Sequence, residues 1–528
     1  YKGKALVHAE ENLYLWTNFP DTPATTTLLK SNMNNAKSSF AVFNDELFIL
    51  DGVNFLVYNT TLKNVTDNNP YIPTTTINRY PSGGGEPYQD VNVLQPLRKN
   101  SFVGDGSSVD YYLDATNITS VSEVKLNGTV LSSGYSVNTT QGKVSFTTAP
   151  SAPLTPGIDN VEITFSKTVT GYATRISSCK IMLVYDRRIF FAGNPSYPNA
   201  IFHSELNNPY YIRDLAYYED GTEESAIKSM VVGNNILWVF KGDSQLNDTI
   251  FYHTEALDED GKVYPNYQGN VSVGCYSTAI NYKDDIVFLS RNGLEGISSN
   301  EITSRQLLNH RSSLVDNKMI NENNYDLATM EEWEGYLLIL VNGHIYLADH
   351  RQLWQGSVGY EYEWYFWKYS EIEACAIKQY QGKLYVGDID GNIYEVTGTN
   401  DNDELIESYW TTPMDNFEYG NTNKTTNKRG GVAKIKTIPN GVIKVSEITN
   451  RKTEDRFIAS YASTGFDFTN LDFANFSFTT NNKSYIIYKI KEKKFLEISL
   501  KFYSDEKDRP FGLYSSILEA FVGGYTKK

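Results

Sequence analysis

Apolar and polar positions alternate in short runs along most of this chain, and between residues 172 and 398 the alternation itself repeats. Each unit reads as an apolar run, a polar turn and a second alternating apolar run. The turns and second runs are Asp186-Arg187-Arg188-Ile189-Phe190-Phe191, Gly233-Asn234-Asn235-Ile236-Leu237-Trp238, Lys283-Asp284-Asp285-Ile286-Val287-Phe288, Glu334-Gly335-Tyr336-Leu337-Leu338-Ile339 and Gln381-Gly382-Lys383-Leu384-Tyr385-Val386. Aligned on Ile189, Ile236, Ile286, Leu337 and Leu384, they are spaced by 47, 50, 51 and 47 residues. Two more copies stand near the N-terminus, at Glu11-Asn12-Leu13-Tyr14-Leu15-Trp16 and Asn44-Asp45-Glu46-Leu47-Phe48-Ile49.

Alternation with a period of two marks half-buried strands. A repeat of 40 to 50 residues made of such strands marks a β-propeller, because one small twisted sheet cannot bury both faces and must stack against its neighbours. The chain therefore reads as all-β, with a β-propeller of about seven blades formed by residues 1–95 and 170–400.

Leu47 and Ile189 are 142 positions apart, far more than one repeat needs. The excess, 96–169, is predicted to be an inserted small β-sandwich with strand patterns from about 98 to 168. Val124-Lys125-Leu126-Asn127-Gly128-Thr129-Val130 carries the Asn-Gly signature of a two-residue hairpin turn, and Val144-Ser145-Phe146 and Val161-Glu162-Ile163-Thr164-Phe165 alternate in the same way. The loop before it, with Pro70, Pro73, Pro81, Pro87 and Gly83-Gly84-Gly85, reads as a domain edge. After Thr397 the repeat stops. Residues 401–528, with runs at Val442-Ile443-Lys444-Val445, Tyr485-Ile486-Ile487-Tyr488 and Phe495 to Phe502, are predicted to be a C-terminal β-sandwich. Short helices are expected at most at 311–324 and 514–521.

A length of 528 residues suits several domains. The net charge of −16 argues against a protein that reads nucleic-acid sequence, which would be basic. Residues 401–528 hold 19 Lys and Arg against 17 Asp and Glu, a net of +2, so residues 1–400 carry −18. The three cysteines, Cys179, Cys275 and Cys375, lie 10, 11 and 9 residues before the aligned apolar position of their repeats. They are read as small buried residues on equivalent strands of three blades, not as a disulfide framework. No apolar run reaches the length of a membrane span, and no membrane association is expected.

Candidate chemistry is sparse. No phosphate-cradling Gly-rich loop, His-Glu-x-x-His pattern or cysteine pair at metal spacing is present. The closest histidine pair, His344 and His350, sits on a strand and the following loop, where two singly bonded imidazoles account for it better than a metal site. Asp388-Ile389-Asp390-Gly391-Asn392 lacks the later acidic ligand of a calcium loop and reads as a turn between outer strands, and Asp258-Glu259-Asp260-Gly261 as a loop tip. No catalytic, cofactor-binding or metal residues are accordingly expected, and the protein is expected to be non-enzymatic. The densest aromatic run, with Trp354, Tyr360, Tyr362, Trp364, Tyr365, Phe366 and Trp367, admits packing between blades, a protein interface or a sugar platform. Trp354, Tyr360, Tyr362, Trp364, Phe366 and Trp367 are the residues expected at an interface.

Three stretches resemble a known group of proteins. Phe102-Val103-Gly104-Asp105-Gly106, the Val124 to Gly128 hairpin and Val144-Ser145-Phe146-Thr147-Thr148-Ala149-Pro150 resemble a small β-domain recurrent in tailed-phage virion proteins. Arg188-Ile189-Phe190-Phe191-Ala192-Gly193-Asn194-Pro195, followed by Ile201 to Pro209, is similar to a strand pair in phage-tail propeller proteins. The ending, from Lys493-Lys494-Phe495 through Pro510-Phe511-Gly512-Leu513 to Gly523-Gly524-Tyr525, is like their C-terminal sandwich. The resemblance implies a bacteriophage tail or neck protein of the tail-hub, nozzle or packaged-DNA stabilisation type, located in the virion and made in the host bacterial cytoplasm. It implies a ring of copies, sixfold or twelvefold, on the axis. The implied partners are further copies, neighbouring tail or portal proteins, and genomic DNA passing without sequence-specific binding; no cofactor is implied. The alternative is a phage receptor-binding or glycan-binding propeller protein.

Overall fold

The computed structural model describes residues 1–258, 261–269, 271–283, 285–297, 308–355, 360–427, 431–436, 441–460 and 485–525. It is almost wholly antiparallel β-structure, divided into two compact units: residues 1–342 with 346–366, and residues 343–345 with 367–528.

Seven small up-and-down sheets follow one another along the chain, here named by letter. Sheet A spans 5–31, B 39–64, C 181–219, D 227–268, E 279–310, F 329–368 and G 374–395. A and G have three strands and the others four, each strand pairing with the next in sequence except where a short hairpin (256–263) branches from sheet D. Within the first unit the sheets stack face to face in chain order, and each seam has its own apolar core. Leu13, Ile49 and Leu56 lie between A and B; Phe48, Phe55 and Phe191 between B and C; Phe190, Leu237 and Phe251 between C and D. Phe240, Ile250 and Phe288 fill the seam of D and E, and Leu289, Leu337 and Tyr346 that of E and F.

The turn between the first two strands explains the constant phase of the repeat. Asn44/Asp45, Asp186/Arg187, Asn234/Asn235, Glu334/Gly335 and Gln381/Gly382 all have positive φ at both residues. That is the geometry of a two-residue hairpin whose twist matches the strands it joins. The closing pairs are Phe43 with Glu46, Tyr185 with Arg188, Gly233 with Ile236, Trp333 with Tyr336 and Tyr380 with Lys383. The residue one step beyond each closing pair points into the core: Leu47 is 6% exposed, and Ile189, Leu237, Leu337 and Leu384 are at 0%. Leu237, not Ile236, is therefore the fourth repeat's equivalent position. Ile236 closes the hairpin and is only half-buried. Both residues are apolar, so the pattern alone admitted the one-residue slip that reverses the face of a strand. The corrected spacings from Ile189 to Leu237 to Ile286 are 48 and 49.

Other expectations are corrected. Cys179 and Cys275 are buried in the segments that precede the first strands of sheets C and E, and burial pushes both thiols up to about 12; Cys375 lies on the first strand of sheet G and is exposed. The 311–324 region contains one short helix, Asp316–Met319, whereas 514–521 is strand, within Leu513–Ile517 and Ala520–Tyr525. Trp354 to Trp367 is not a connection between blades: His344–Gln355 and Tyr360–Lys368 are the third and fourth strands of sheet F.

The inserted domain begins earlier than residue 96. Its six-stranded sheet runs in the order 129–130, 120–126, 161–166, 97–102, 74–79, 86–87, and faces a three-stranded sheet of 110–112, 143–146 and 135–138. Thr74–Arg79 pairs parallel with Leu97–Phe102. Arg79 donates to the carbonyls of Tyr112 at 2.8 Å and Leu113 at 2.9 Å, so the Pro/Gly-rich stretch belongs to the sandwich. The sandwich core is Phe102, Tyr111, Val124, Val144, Ile163 and Phe165. Asn127 and Gly128 form the expected hairpin turn, both with positive φ.

In the second unit, residues 408–525 form three sheets: 408–411, 498–504, 442–449 and 453–460; 493–495, 422–426 and 520–525; and 485–489, 432–436 and 513–517. Ala433, Val445, Phe495, Leu500 and Phe502 lie in their shared core.

Candidate functional site

Sheet C carries a surface cleft of about 200 Å³. The short helix Tyr172–Arg175 brings Tyr172 and Arg175 to one wall, the turn at Tyr197 supplies a second, and the paired strand residues Phe202 and Tyr217 form the floor and side. Asp214, Leu215 and Glu219 complete it. The Tyr172 hydroxyl donates to Asp214 Oδ2 at 2.8 Å, and Arg175 Nη1 donates to the Asp214 carbonyl at 3.1 Å. The Arg175 guanidinium lies 4.5 Å from the Tyr172 ring centre and 5.7 Å from that of Tyr197. Burial, and then the bond to Asp214, raise the Tyr172 pKa above its ordinary value. Leu215 is 70% exposed and Tyr217 40%, so the cleft opens onto an apolar rim beside the carboxylate of Glu219. It offers aromatic faces and negative charge to whatever meets it.

Behind the cleft, ionised side chains brace sheets C and D. Arg188, 6% exposed, donates to Tyr264 Oη at 3.1 Å and to the Ser204 carbonyl at 2.9 Å, and lies 3.3 Å from Glu205. Tyr264 donates onward to Asp186 at 2.7 Å, which also accepts from Lys262 at 2.9 Å. Lys241 is wholly buried and donates to the carbonyls of Asp220 and Thr222, each at 2.7 Å, and to Asp248 at 3.3 Å. Burial would raise the Asp248 pKa, but hydrogen bonds from Ser244 and Thr222 and the Lys241 charge hold it well below the usual carboxylate range. His253 lies between the Asp220 carboxylate at 3.0 Å and the Tyr264 carbonyl at 2.8 Å. His203, packed among Phe190, Tyr218 and Tyr264, is pushed down to about 4 by burial.

A second polar cluster braces sheets E and F. His310 lies 2.6 Å from Asp316 and 3.1 Å from Glu295. Burial opposes its charge, yet the bonds to Asp316 and Glu295 raise its pKa to about 10. Asp316 also accepts from Ser312 Oγ at 2.5 Å. The backbone at Gly293 crosses this carboxylate with φ +125°, and a Cβ there would meet Asp316 Oδ1 at 2.1 Å. Next to it, Asp285 accepts from Arg311 at 3.0 Å and from the Tyr362 hydroxyl at 2.7 Å.

These contacts absorb half of the expected aromatic interface. Tyr362 is 3% exposed, Trp364 donates to the Arg311 carbonyl at 3.0 Å, and Phe366 packs edge-on against Tyr346 with Lys318 over its ring. Tyr362, Trp364 and Phe366 share one face of the strand, with Tyr362 buried and the other two half-buried against the core; Tyr365 on the opposite face and Tyr360 at the strand's first position are exposed, and Trp367 is half-buried. Trp354 lies on the preceding strand, and its side chain is outside the described residues. The run is thus chiefly the core of one sheet. His350 faces the Tyr282 hydroxyl at 3.3 Å, and no cluster of three metal-ligating side chains occurs among the described residues. Asp388 accepts from the backbone and side-chain nitrogens of Asn392 at 2.7 and 2.9 Å, as its reading as a turn requires. Residues 259–260 of the other acidic tip lie outside the described residues. Among the described residues no helix is long and apolar enough to cross a membrane.

The cleft residues were not singled out by sequence reasoning. The available signal was the segment 214–224, which holds Asp214, Glu219, Asp220, Glu223 and Glu224 and no Lys or Arg, interleaved with Leu215, Tyr217 and Tyr218.

No family model matches the chain, and no curated protein matches it. Among solved structures, the extracellular domain of a hybrid two component system from B. thetaiotaomicron is similar at 10% identity and TM-score 0.28, over 92% of this chain and 67% of that one. BamB from Moraxella catarrhalis gives 11% identity and TM-score 0.23, over 68% and 92%. An exo-beta-1,3-galactanase from Phanerochaete chrysosporium gives 8% identity and TM-score 0.21, over 68% and 86%.

Proposed function

We propose that this chain is a non-enzymatic structural component of a bacteriophage tail or neck, built on a seven-bladed propeller and acting in a closed ring of copies around the DNA path. The observation that carries the reading is the series of seven short meander sheets, interrupted by one β-sandwich and followed by further β-sheets. That is the order the resemblance in the sequence implies. The interior supports a structural role: Arg188, Lys241, Asp248, His253 and His310 are bonded to partners on their own or adjoining sheets and act as struts. The mechanism is then geometric. Stacked blades make a stiff wall, and the −18 carried by residues 1–400 repels phosphate, so DNA slides past without a binding groove. Cryo-EM of phage particles whose genome encodes this chain tests it. Several copies related by cyclic symmetry on the tail axis are expected; a single copy, or copies confined to fibre tips, overturns the reading.

The cleft of sheet C favours a second reading, a receptor-binding or glycan-binding propeller protein, because Tyr197 and Tyr217 present exposed ring faces beside Asp214 and Glu219. Binding on a glycan array that is lost in Tyr217→Ala selects this reading over the first.

A further inference from the structure

The three-stranded sheet of Tyr485–Lys489, Val432–Lys436 and Leu513–Ile517 has one face in the C-terminal core and one in solvent. Ala433 and Ile435 point inward at 0% and 2% exposure. The register sets Lys434 between Ile487 and Ser515, with Lys436 opposite Tyr485, and Val432 between Lys489 and Ile517. Outward-facing Ile487, Ile517 and Tyr485 are 52%, 49% and 41% exposed, and Tyr514 is 56% exposed. These strands contain Lys434, Lys436 and Lys489 and no Asp or Glu. The Lys434 ammonium stands 5.6 Å from the Tyr485 ring centre, which leaves the ring to screen its charge in place of a carboxylate. An apolar face rimmed by charge of one sign marks an interaction surface.

The complementary surface lies on the first unit. The segment 214–224 at the cleft edge carries five acids and no Lys or Arg of its own; Arg175 stands within the cleft on the Asp214 carbonyl and buried Lys241 behind it, while Leu215, Tyr217, Glu219, Glu223 and Glu224 are exposed. We infer that the outer face of the 485–489, 432–436, 513–517 sheet docks against the Leu215–Tyr217–Glu219 edge of a second copy of this chain. Lys434, Lys436 and Lys489 face Glu219, Glu223 and Glu224, and Ile487, Ile517 and Tyr485 cover Leu215 and Tyr217. Apolar and aromatic cover supplies the affinity, and the opposed charges fix register and direction. Two different patches meeting make a heterologous contact, which closes into a ring when its rotation allows. The inference rests on the ring reading above and names its contact.

The full-length chain tests it. Equal parts of ordinary and ¹⁵N-labelled protein are mixed at low ionic strength, treated with a carbodiimide and digested. Mixed-isotope peptides linking Lys434, Lys436 or Lys489 to Glu219, Glu223 or Glu224 are expected. Sedimentation velocity then compares Lys434→Glu/Lys436→Glu/Lys489→Glu, Glu219→Lys/Glu223→Lys/Glu224→Lys, and an equimolar mixture of the two. Each reversed protein alone should associate at least about tenfold more weakly than the parent, and the mixture should recover to within about threefold. Circular dichroism matching the parent shows that these surface changes leave the fold intact. Links through other surfaces, an unaffected reversed variant, failure of the mixture to recover, or a parent monomeric at every concentration overturns this contact. None of these outcomes removes the chain from the tail axis in particles, so the docking surface and the functional reading fail separately.

Discussion

Replacing His310 with Gln should abolish a dependence of stability on pH that, among the described residues of sheet E, His310 alone supplies in its window. Both ring nitrogens of His310 face carboxylates, Glu295 at 3.1 Å and Asp316 at 2.6 Å, so the ring is held as the imidazolium. Its pKa rises from 6.5 to about 10 in the fold. A displacement of that size corresponds to about 5 kcal/mol at 1.36 kcal/mol per pH unit. Solvent reaches a side chain that is 24% exposed, which brings the working figure to about 2–4 kcal/mol. The sign follows from proton counting. Between 6.5 and 10 the folded chain keeps a proton that the unfolded chain has lost, so stability falls as pH rises, by at most about 1.4 kcal/mol per unit. The full contribution is present below 6.5 and gone above 10. Urea titrations at pH 6, 7.5, 9 and 10 (set around the window above), read by hydrogen–deuterium exchange of peptides covering 285–320, isolate this sheet. The parent midpoint for those peptides should decline across the window, and His310→Gln should start lower and stay nearly flat. Parallel curves for the two proteins would refute the reasoning, since the imidazolium would then contribute nothing that glutamine lacks.

Leu237→Ala should cost about 2–5 kcal/mol in urea unfolding and Ile236→Ala less than half of that, because only Leu237 is wholly buried. Lys241→Met should destabilise the first unit by about 3–5 kcal/mol, measured by the same exchange method, by stranding the buried Asp248 carboxylate. Glu447, fully buried beside Arg456 and bonded by Tyr488, has its pKa raised by burial, so the second unit should gain stability as pH falls toward 4.5, and Glu447→Gln should remove that gain in pH-dependent thermal melts. A fragment of residues 72–168 should give dispersed amide signals by NMR and one of 98–168 should not, because the shorter piece lacks Thr74–Arg79, the parallel neighbour of Leu97–Phe102.

The parts of this fold legible in the sequence are those decided by local chemistry. Asn127-Gly128 announced its hairpin, and Asp-Arg, Asn-Asn and Glu-Gly pairs flanked by apolar runs announced the repeat, because left-handed backbone at two successive residues is tolerated by few residue types. What could not be read was decided by distant pairing. Thr74–Arg79 looks like a Pro/Gly-bordered linker until Arg79 finds the carbonyls of Tyr112 and Leu113, 33 and 34 residues away. The aromatic run looked like an interface because composition reports ring density but not side. Alternation then sends Tyr362, Trp364 and Phe366 inward, where Asp285, Arg311 and Tyr346 meet them. The cleft of sheet C draws Tyr172, Tyr197, and Asp214 with Tyr217 from three separate segments, so no one contiguous motif marks it.

The same distinction explains why ionised groups sit between sheets whose seams are otherwise apolar. Apolar packing is indifferent to small slides of one twisted sheet over the next, since Leu, Ile and Phe contacts are non-directional. A buried Lys241 bonded to the carbonyls of Asp220 and Thr222 and to Asp248, or an Asp285 of sheet E that accepts from Tyr362 of sheet F, is satisfied in only one arrangement. Such pairs add little net stability over apolar replacement of both partners together, yet a misplaced seam leaves one partner buried and unpaired at a cost of several kcal/mol. Their effect is to select one stacking among near-equivalent ones. In the ring proposed above that selection would matter more than raw stability, because a small rotation at each seam would change the shape each copy presents to the next and work against closure.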